Sequence, residues 1–262
     1  MTAKGEDAPT PLGIRRGRLP LHPFSNTPAP RHRRVHRPAP LAPAGKLGDE
    51  RSMNIGYEFD FCGARLTALG SGALWWADHG LLCVSDLHLG KAERIARRGG
   101  TALPPYETTD TLTRLAAALD RVPARVVMCL GDSFDDLHAA HALPEPARLT
   151  LARLQAGRQW LWVEGNHDPE LVIGPLQFRH IAQTGAQAEV SGHYHPKARL
   201  RLRGRSVTRP AFLYDDRRLI MPAFGTYTGG LYSDAPVLQA LMGPQACAIL
   251  TGPQPTAIPM PR

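Results

Sequence analysis

Apolar residues in the middle of the chain form short runs that predict a sheet interleaved with helices. Residues 81–85, 125–130 and 160–163 are continuous apolar runs, the pattern of strands that are buried on both faces. Between them, residues 108–122 and 146–156 place apolar side chains at the three- and four-residue spacing of amphipathic helices. Because strands and helices alternate, we expect crossover connections and a partly parallel sheet.

The segments on both sides of this block have the shorter period of antiparallel strands. Residues 57–69 alternate between apolar and polar and turn at Gly63, and residues 73–77 form a further short run. Four more strands are predicted after position 195, at residues 198–202, 206–214, 218–222 and 246–250. The pattern favours an α/β fold with four αββα layers, in which two packed mixed β-sheets are flanked by helices.

Charge divides the chain into two parts. Residues 1–52 contain ten Lys or Arg, four Asp or Glu and nine Pro, whereas residues 53–262 contain 21 basic and 19 acidic residues, a net charge of +2. The first segment lacks hydrophobic periodicity, so we expect a disordered basic tail ahead of a folded domain at 53–262. The tail is interpreted as an arm that attracts nucleic acid, as a basic linker, or as an artefact of the translation start, in which case Met53 is the natural beginning.

The composition excludes several classes of protein. Hydrophobic residues make up 43% of the chain and charged residues 21%, which is ordinary for a globular protein. No apolar run approaches the roughly 20 residues of a membrane-spanning helix, and the N-terminus lacks the apolar core of a signal peptide. The four cysteines are far apart without a CxxC spacing, so we expect free thiols and a cytoplasmic location.

Polar residues that can bind metals recur just after the predicted strands. Their side chains offer nitrogen and oxygen ligands without sulfur, which suits manganese, iron or zinc. In open α/β sheets such ligands gather at the carboxyl ends of the strands. The residues are, in order, Asp86, His88, Asp132, Asn166, His167, Asp168, His180, His193 and His195. This number of ligands predicts a site for two divalent metals that activate water and bind a phosphate.

The spacing within the motifs predicts how the side chains are arranged. Alternate residues of an extended segment share a face, so Asp86 and His88 are expected to point the same way. The same argument applies to His193 and His195. Asp132 follows the next strand and can offer one oxygen to each of two metals.

Together, the motifs resemble the signature of the calcineurin-like metallophosphoesterase superfamily. That signature runs D-x-H, G-D, G-N-H-[DE], an isolated H and G-H-x-H, and all five blocks occur here in this order. Residues 222–231, together with 85–92 and 131–134, are similar to one branch, the bacterial ligase-associated DNA damage response endonucleases. The resemblance covers roughly residues 53–235.

The resemblance implies a role for each motif residue. Seven of them are implied to be metal ligands, namely Asp86, His88, Asp132 and His195 for one metal and Asp132, Asn166, His180 and His193 for the second. His167 stabilises the transition state or protonates the leaving oxygen, and Asp168 orients it. The resemblance also implies that a hydroxide activated by two metals would attack phosphorus in line, so the expected reaction is hydrolysis of a phosphodiester.

His180 is the implied ligand with the weakest local signal. Its neighbours carry little motif information, but it is the only histidine between His167 and His193. It lies 15 positions before His195, a distance that one short hairpin can accommodate. The resemblance keeps His180 in the ligand set.

One residue departs from the pattern of the endonuclease branch. The branch usually reads G-D-S-F-H-D after the second strand, whereas this chain has Asp135 in place of the histidine. We assign Asp135, with Lys91 and Arg94, to substrate binding at the mouth of the site, where basic side chains hold a nucleic-acid backbone. A solvated basic helix face explains Lys91 and Arg94 equally well.

Basic residues also alternate along the predicted strand that follows the last motif. They are Lys197, Arg199, Arg201, Arg203 and Arg205, so one face of that strand is predicted to be a row of cations. The row is a candidate track for DNA, although edge strands also carry charge simply to stay soluble.

These observations predict a metal-dependent phosphodiesterase, specifically a DNA endonuclease in DNA repair. The resemblance implies manganese, with iron or zinc as alternatives, and it implies a DNA ligase, a helicase and an exonuclease as functional neighbours. A small-molecule phosphodiesterase or nucleotide phosphatase on the same scaffold is the alternative. A non-catalytic subunit of a repair complex, which would keep the fold as a binding surface, is a further alternative.

Overall fold

The computed structural model describes residues 55–97, 99, 104, 106–135, 143–163, 171–202 and 204–262. The expected tail at residues 1–52 therefore lies outside the described residues. Within the described ranges the chain forms two β-sheets with helices on both outer faces.

The first sheet has the continuous apolar runs at its centre. Its strands are β1 (Gly56–Phe61), β2 (Ala64–Leu69), β3 (Leu74–Trp76), β4 (Leu81–Ser85), β5 (Val126–Leu130) and β6 (Gln159–Val163). They lie in sequence order, and pairing is antiparallel from β1 to β4 and parallel from β4 to β6. Parallel neighbours need crossovers, and the described helices α1 (Lys91–Arg97), α2 (Glu107–Arg121) and α3 (Glu145–Gln155) lie in those connections.

The central strands are buried on both faces because each face meets a different layer. Val127 and Cys129 of β5 belong to a buried cluster with Leu112 and Leu115 of α2. The alternate residue Met128 belongs to the core between the two sheets. This division explains why β5 is a continuous apolar run rather than an alternating one.

The second sheet is built mainly from the part of the chain after β6. Its strands are β7 (Leu171–Ile173), β8 (Leu176–Phe178), β9 (Glu189–Ser191), β10 (Lys197–Leu202), β11 (Arg205–Tyr214), β12 (Arg218–Ile220), β13 (Cys247–Leu250) and β14 (Thr256–Pro259). The order across the sheet is β14-β13-β11-β12-β9-β8-β7, and β10 pairs with β11. Pairing is parallel at β12–β9 and β9–β8 and antiparallel elsewhere, so this sheet is also mixed.

Two further apolar clusters complete the layers. Phe178 and Phe212 of the second sheet pack with Leu66 and Met128 of the first in the core between the sheets. On the far side of the second sheet, Leu238 of the short helix α4 (Pro236–Leu241) packs in a separate buried cluster. The expected arrangement of two mixed sheets flanked by helices is confirmed.

The elements around the motifs agree with the sequence-based expectations to within two residues at each end. The strands β7, β8, β9 and β14 and the helix α4 were not predicted. Each contains only three to six residues, too few to show a period of two or of 3.6. Their formation depends on neighbouring strands rather than on a local pattern.

Two of the expectations for the second half of the chain are wrong. No hairpin joins His180 to the last motif, because β8 and β9 are parallel neighbours and the chain must cross over between them. The expected row of cations ends at Arg201, because the chain turns at Gly204 and Arg205 begins the next strand. Arg203 lies outside the described residues.

Two of the four cysteines and two of the four tryptophans are buried in the core. All four cysteines are free, and Cys83 and Cys129 are buried in central strands. Trp75 and Trp76 are buried as well. Among the described residues, no helix has the length and apolar content needed to cross a membrane.

Buried ion pairs join β8, β9 and β12, the strands of the second sheet next to the motifs. Glu189, at the start of β9, is fully buried, and its Oε1 accepts a hydrogen bond from Arg218 Nε on β12 at 2.9 Å. Arg179, which follows β8, approaches Glu189 Oε2 at 3.2 Å. A carboxylate between two guanidinium groups offsets the cost of burying these charges.

Glu189→Gln is expected to destabilise the protein strongly. The variant keeps the shape of the side chain but leaves Arg218 buried without its counter-charge, which costs about 3–5 kcal/mol. The matched control is Glu58→Gln, because Glu58 pairs with Arg65 at 2.9 Å on the surface, where a pair contributes about 1 kcal/mol or less. Urea unfolding followed by tryptophan fluorescence measures both changes. Equal losses in the two variants would contradict the assignment.

Candidate metal centre

The motif residues in the described ranges lie at the carboxyl ends of strands in both sheets. In the first sheet, Asp86 directly follows β4, and Asp132 follows β5 after a single glycine. In the second sheet, His180 follows β8 and His193 follows β9. Since β8 and β9 are parallel, the two segments leave the second sheet at the same edge.

Some of the predicted site residues cannot be placed. Asn166, His167 and Asp168 follow β6, as expected from the sequence, but they lie outside the described residues. The other six predicted metal ligands are all described. Lys91 is at the start of α1 and is partly exposed, and its assignment to substrate binding stays a prediction.

The six described residues form two groups. Asp86, His88 and His195 bring their ligand atoms within 4.8 Å of one another. Asp132, His180 and His193 do the same. The family resemblance implies the same division of the six residues, with Asp132 assigned to both sets. Each group offers carboxylate oxygen and imidazole nitrogen without a thiolate.

The backbone at five of these six residues, all except His180, is left-handed rather than extended. The φ angles are 53° at Asp86, 48° at His88, 37° at Asp132, 71° at His193 and 46° at His195. The expectation that each motif is an extended segment, with its alternate residues on one face, is therefore wrong. Non-glycine residues adopt this region rarely, at a cost of order 1–3 kcal/mol each, and do so where surrounding structure holds them.

Backbone pairing beyond the strand ends holds these strained residues. Asp86 N–H bonds to Gly131 O at 3.3 Å, and His88 N–H bonds to Asp132 O at 2.9 Å. Leu89 N–H then bonds to Ser133 O at 3.0 Å. The first two motifs thus form a hydrogen-bonded continuation of β4 and β5, which offsets the local strain.

The carboxylate of Asp86 lies between the two groups. Its Oδ1 lies 3.2 Å from Nε2 of both His180 and His195. Its Oδ2 accepts hydrogen bonds from Ser85 Oγ at 2.5 Å and from His193 N–H at 3.0 Å. Burial alone would raise the pKa of Asp86, but the bonds from the two imidazoles and Ser85 outweigh burial and hold the pKa below its usual range. A buried anion therefore lies at the centre of the site.

Opposing effects also set the protonation of the two histidines of the second group. Burial would lower the pKa of His180, but its bond to Asp86 and the charges of Asp86 and Asp132 raise it overall. Desolvation and the neighbouring charge of His180 lower the pKa of His193. The imidazole rings of His180 and His193 meet edge to face, with centroids 4.9 Å apart.

His88 is oriented by Asp135. Its Nδ1 lies 3.1 Å from Asp135 Oδ1, and its Nε2 lies 3.4 Å from Nε2 of His195. Because a carboxylate accepts the proton on Nδ1, the lone pair of His88 is on Nε2 and faces His195. A cation beside both nitrogens would bind the Nε2 lone pair of His88 and would replace the proton that His195 Nε2 otherwise donates to Asp86. The residues present therefore fit a divalent metal.

Asp135 lies behind His88 rather than at the mouth of the site. Its side chain is only 3% exposed and forms an ion pair with Arg94 of α1. Burial would raise the pKa of Asp135, but hydrogen bonds from His88 and Arg94 outweigh it and lower the pKa. The carboxylate of Asp135 therefore positions His88, whereas the sequence led us to expect that it contacts the substrate.

Sequence reasoning did not identify the loop that closes the site from the other side. Phe224 N–H bonds to Ser85 O at 2.8 Å, and Gly225 N–H bonds to Asp86 O at 3.1 Å. Arg114 of α2 secures this loop by donating to Phe224 O and placing its guanidinium 4.8 Å from the centroid of the Phe224 ring. The similarity of residues 222–231 to the endonuclease branch was the only signal in the sequence.

Comparison with known proteins agrees with this geometry. The family described as calcineurin-like phosphoesterase matches residues 80–231, which include every described residue of the two groups. This chain belongs to the calcineurin-like phosphoesterase family. The structure of the phosphoesterase is similar to the crystal structure of the Pseudomonas putida nuclease MPE, with a TM-score of 0.56 and 27% identity. The match covers 74% of this chain and 96% of that chain. No curated protein sequence matches.

The superfamily resemblance is thus confirmed, and it accounts for the donor set of the phosphoesterase. Members of this family use divalent metals, and both groups offer the ligands that such metals accept.

Gly131→Ala is expected to destabilise the phosphoesterase more than the same change at Gly63. Both glycines have left-handed backbone, with φ of 73° and 81°. A Cβ at Gly131 would lie 2.0 Å from His180 Cδ2, whereas a Cβ at Gly63 would meet no atom within 4 Å. Overpacking of this kind costs about 1–3 kcal/mol beyond the shared backbone strain. Urea unfolding measures the difference, and equal midpoints would show that His180 does not lie against Gly131.

Proposed function

We propose that this phosphoesterase is a metal-dependent phosphodiesterase that cleaves DNA, with two divalent metals at the strand ends. The observation that carries the proposal is the juxtaposition of the two ligand groups. A single oxygen of Asp86 lies 3.2 Å from one histidine of each group, so the groups adjoin. Two adjacent metals are suited to binding both sides of a phosphodiester during hydrolysis.

In this proposal the ligand set is the one implied by the family motifs. Asp86, His88, Asp132 and His195 hold one metal, and Asp132, Asn166, His180 and His193 hold the second. Asn166 enters on its motif alone, because it lies outside the described residues. The same holds for His167, proposed as the proton donor to the leaving oxygen, and for Asp168, proposed to orient it.

The proposed mechanism assigns separate tasks to the metals and to the protein. Divalent metals bound here would lower the pKa of water and would stabilise negative charge on the phosphoryl oxygens. Asp135 holds the Nδ1 proton of His88, which keeps the Nε2 lone pair directed into the site. The buried Asp86 carboxylate orients His180 and His195 from the two sides.

Similarity to a solved nuclease supports DNA as the substrate. The proposal extends to an endonuclease role in DNA repair in the cytoplasm, with manganese as the metal and a DNA ligase, a helicase and an exonuclease as functional neighbours. These finer assignments derive from the resemblance of residues 222–231 and of the first two motifs to the endonuclease branch.

The purified phosphoesterase, stripped of metal and supplied with manganese, is expected to cleave single-stranded or nicked duplex DNA. It is also expected to hydrolyse bis(p-nitrophenyl) phosphate. Both activities should disappear on metal removal and return with manganese, because the proposed mechanism requires the metals. Gel electrophoresis of DNA and absorbance of released nitrophenolate measure the two activities.

Matched histidine variants separate this activity from contamination. His193→Ala removes a proposed ligand and is expected to lower activity at least about 100-fold. Removal of one hydrogen-bond donor that stabilises a transition state has an effect of this size. His79→Ala serves as the control, since His79 packs on Trp76 away from both groups and is expected to retain activity. Hydrolysis of the small diester with DNA left intact would replace the nuclease assignment with a small-molecule phosphodiesterase. A metal-loaded protein without turnover would favour a non-catalytic subunit.

Asp135→Ala is expected to lower the affinity for manganese by roughly 10- to 100-fold, the usual effect of losing the carboxylate behind a metal-bound histidine. Asp135→Asn should restore part of the affinity, because an amide oxygen still accepts the Nδ1 proton of His88. Calorimetric titration with manganese measures this directly, without an activity assay. Asp60→Ala, at an exposed position of β1, is the control. Unchanged manganese affinity in Asp135→Ala would refute the orienting role.

A further inference from the structure

A cavity of about 370 Å³ opens beside the metal centre. Its walls come from the start of α2, from the hairpin of β10 and β11, and from the loop that closes the site. The lining residues are Asp110, Arg114, Lys197, Thr208, Pro210, Ala223, Gly225, Thr226, Tyr227 and Thr228. The volume falls in the range of sites that bind small organic groups.

Backbone hydrogen bonds connect the cavity to the proposed metal ligands. Gly225, in the cavity wall, donates its N–H to the carbonyl of Asp86 at 3.1 Å. Lys197, in the opposite wall, follows His195 by two residues and bonds through its N–H to Leu231 O at 2.8 Å. A strand of substrate that leaves the metal centre on this side would therefore enter the cavity.

Charge in the cavity is suited to a phosphate. Among the described residues, the ammonium of Lys197 has no hydrogen bond or ion pair. Arg114 donates to Ser71 O and Phe224 O and has no carboxylate within ion-pair distance in the same part of the chain. The single anion of the lining, Asp110, accepts a hydrogen bond from Thr226 Oγ1 at 2.5 Å. Two cations against one anion leave a net positive charge that attracts phosphate.

Exposed aromatic rings lie in the wall of this cavity and next to residues of that wall. The three exposed aromatic side chains of the described ranges are Tyr106, Tyr227 and Tyr232, at 55%, 41% and 42%. Tyr227 lines the cavity with left-handed backbone at φ 57° and pairs with Tyr106, ring centroids 6.0 Å apart. Tyr232 lies beneath the guanidinium of Arg199, 4.6 Å from its ring centroid. Such surfaces bind unpaired bases by stacking.

We propose that this cavity binds an unpaired nucleotide next to the phosphodiester that is cleaved. Lys197 contacts the phosphate of that nucleotide, and the Tyr227–Tyr106 pair stacks on its base. Tyr232, with Arg199, offers a second stacking surface for the next base. An unpaired base is required because bases within a duplex already stack on their neighbours. The inference rests on the proposed function, which supplies the scissile diester.

Binding measured without metal tests this site independently of catalysis. The probe is a fluorescent single-stranded oligonucleotide of thymidines, titrated with the full chain in EDTA and followed by anisotropy. Lys197→Gln is expected to weaken binding and to reduce the dependence of log affinity on log salt by about 0.7. Tyr232→Ala is expected to weaken binding by about 5-fold or more. Arg153→Gln, which removes one exposed charge from the last turn of α3 and lies outside the lining of the cavity, should retain wild-type affinity.

The binding results and the cleavage results test the cavity and the nuclease activity separately. Unchanged affinity in both Lys197→Gln and Tyr232→Ala, with unfolding midpoints like the wild type, would overturn the site. Equal losses for a blunt duplex and for the single strand would overturn the assignment to an unpaired nucleotide. A protein that binds the oligonucleotide through Lys197 but cleaves no DNA with manganese would keep the binding site and refute the nuclease.

Discussion

The buried carboxylate of Asp86 is the interaction on which the rest of the structure depends. It follows the last residue of β4 in the first sheet, and it accepts hydrogen bonds from His180 and His195, which follow β8 and β9 in the second. A buried charge is stable only when it is paired and hydrogen-bonded. Because Asp86 extends from the first sheet and these two partners from the second, pairing this one carboxylate joins the edges of the two sheets and, with them, the two ligand groups.

The chain reaches this arrangement through strained backbone that ordinary secondary structure supports. Five proposed metal ligands have left-handed φ angles, and the ladder between β4 and β5 continues past both strands to hold the first of them. The backbone strain is confined to the ligand residues, whereas the hydrogen bonds that hold them come from both sheets and from the loop at Phe224. Ligand residues held in this way by backbone hydrogen bonds are suited to a mechanism that depends on orientation.

The loop at residues 223–228 connects the proposed chemistry to the proposed recognition. Its backbone N–H groups donate to the carbonyls of Ser85 and Asp86. Other residues of the loop, including the exposed Tyr227, form one wall of the cationic cavity. Changes in this loop would therefore affect catalysis and binding together. By contrast, the side chains of Lys197 and Tyr232 form no hydrogen bond to Ser85 or Asp86 within the described residues, so binding can be altered there without disturbing the backbone of Asp86.

The sequence by itself determined the central strands, the two long helices and the order of the motifs, because these elements are long enough to show a period and the motifs are contiguous. Through the family resemblance it also predicted two ligand sets, and the six described members of those sets lie in two groups. Only the tertiary structure decided that His180 lies against Asp86, 94 positions away, and that Asp135 supports His88 instead of facing substrate. Such contacts join side chains across separate strands, so no local pattern along the chain records them. The left-handed ligand residues have the same origin, since pairing beyond the strand ends, rather than the intrinsic preference of Asp or His, selects that backbone.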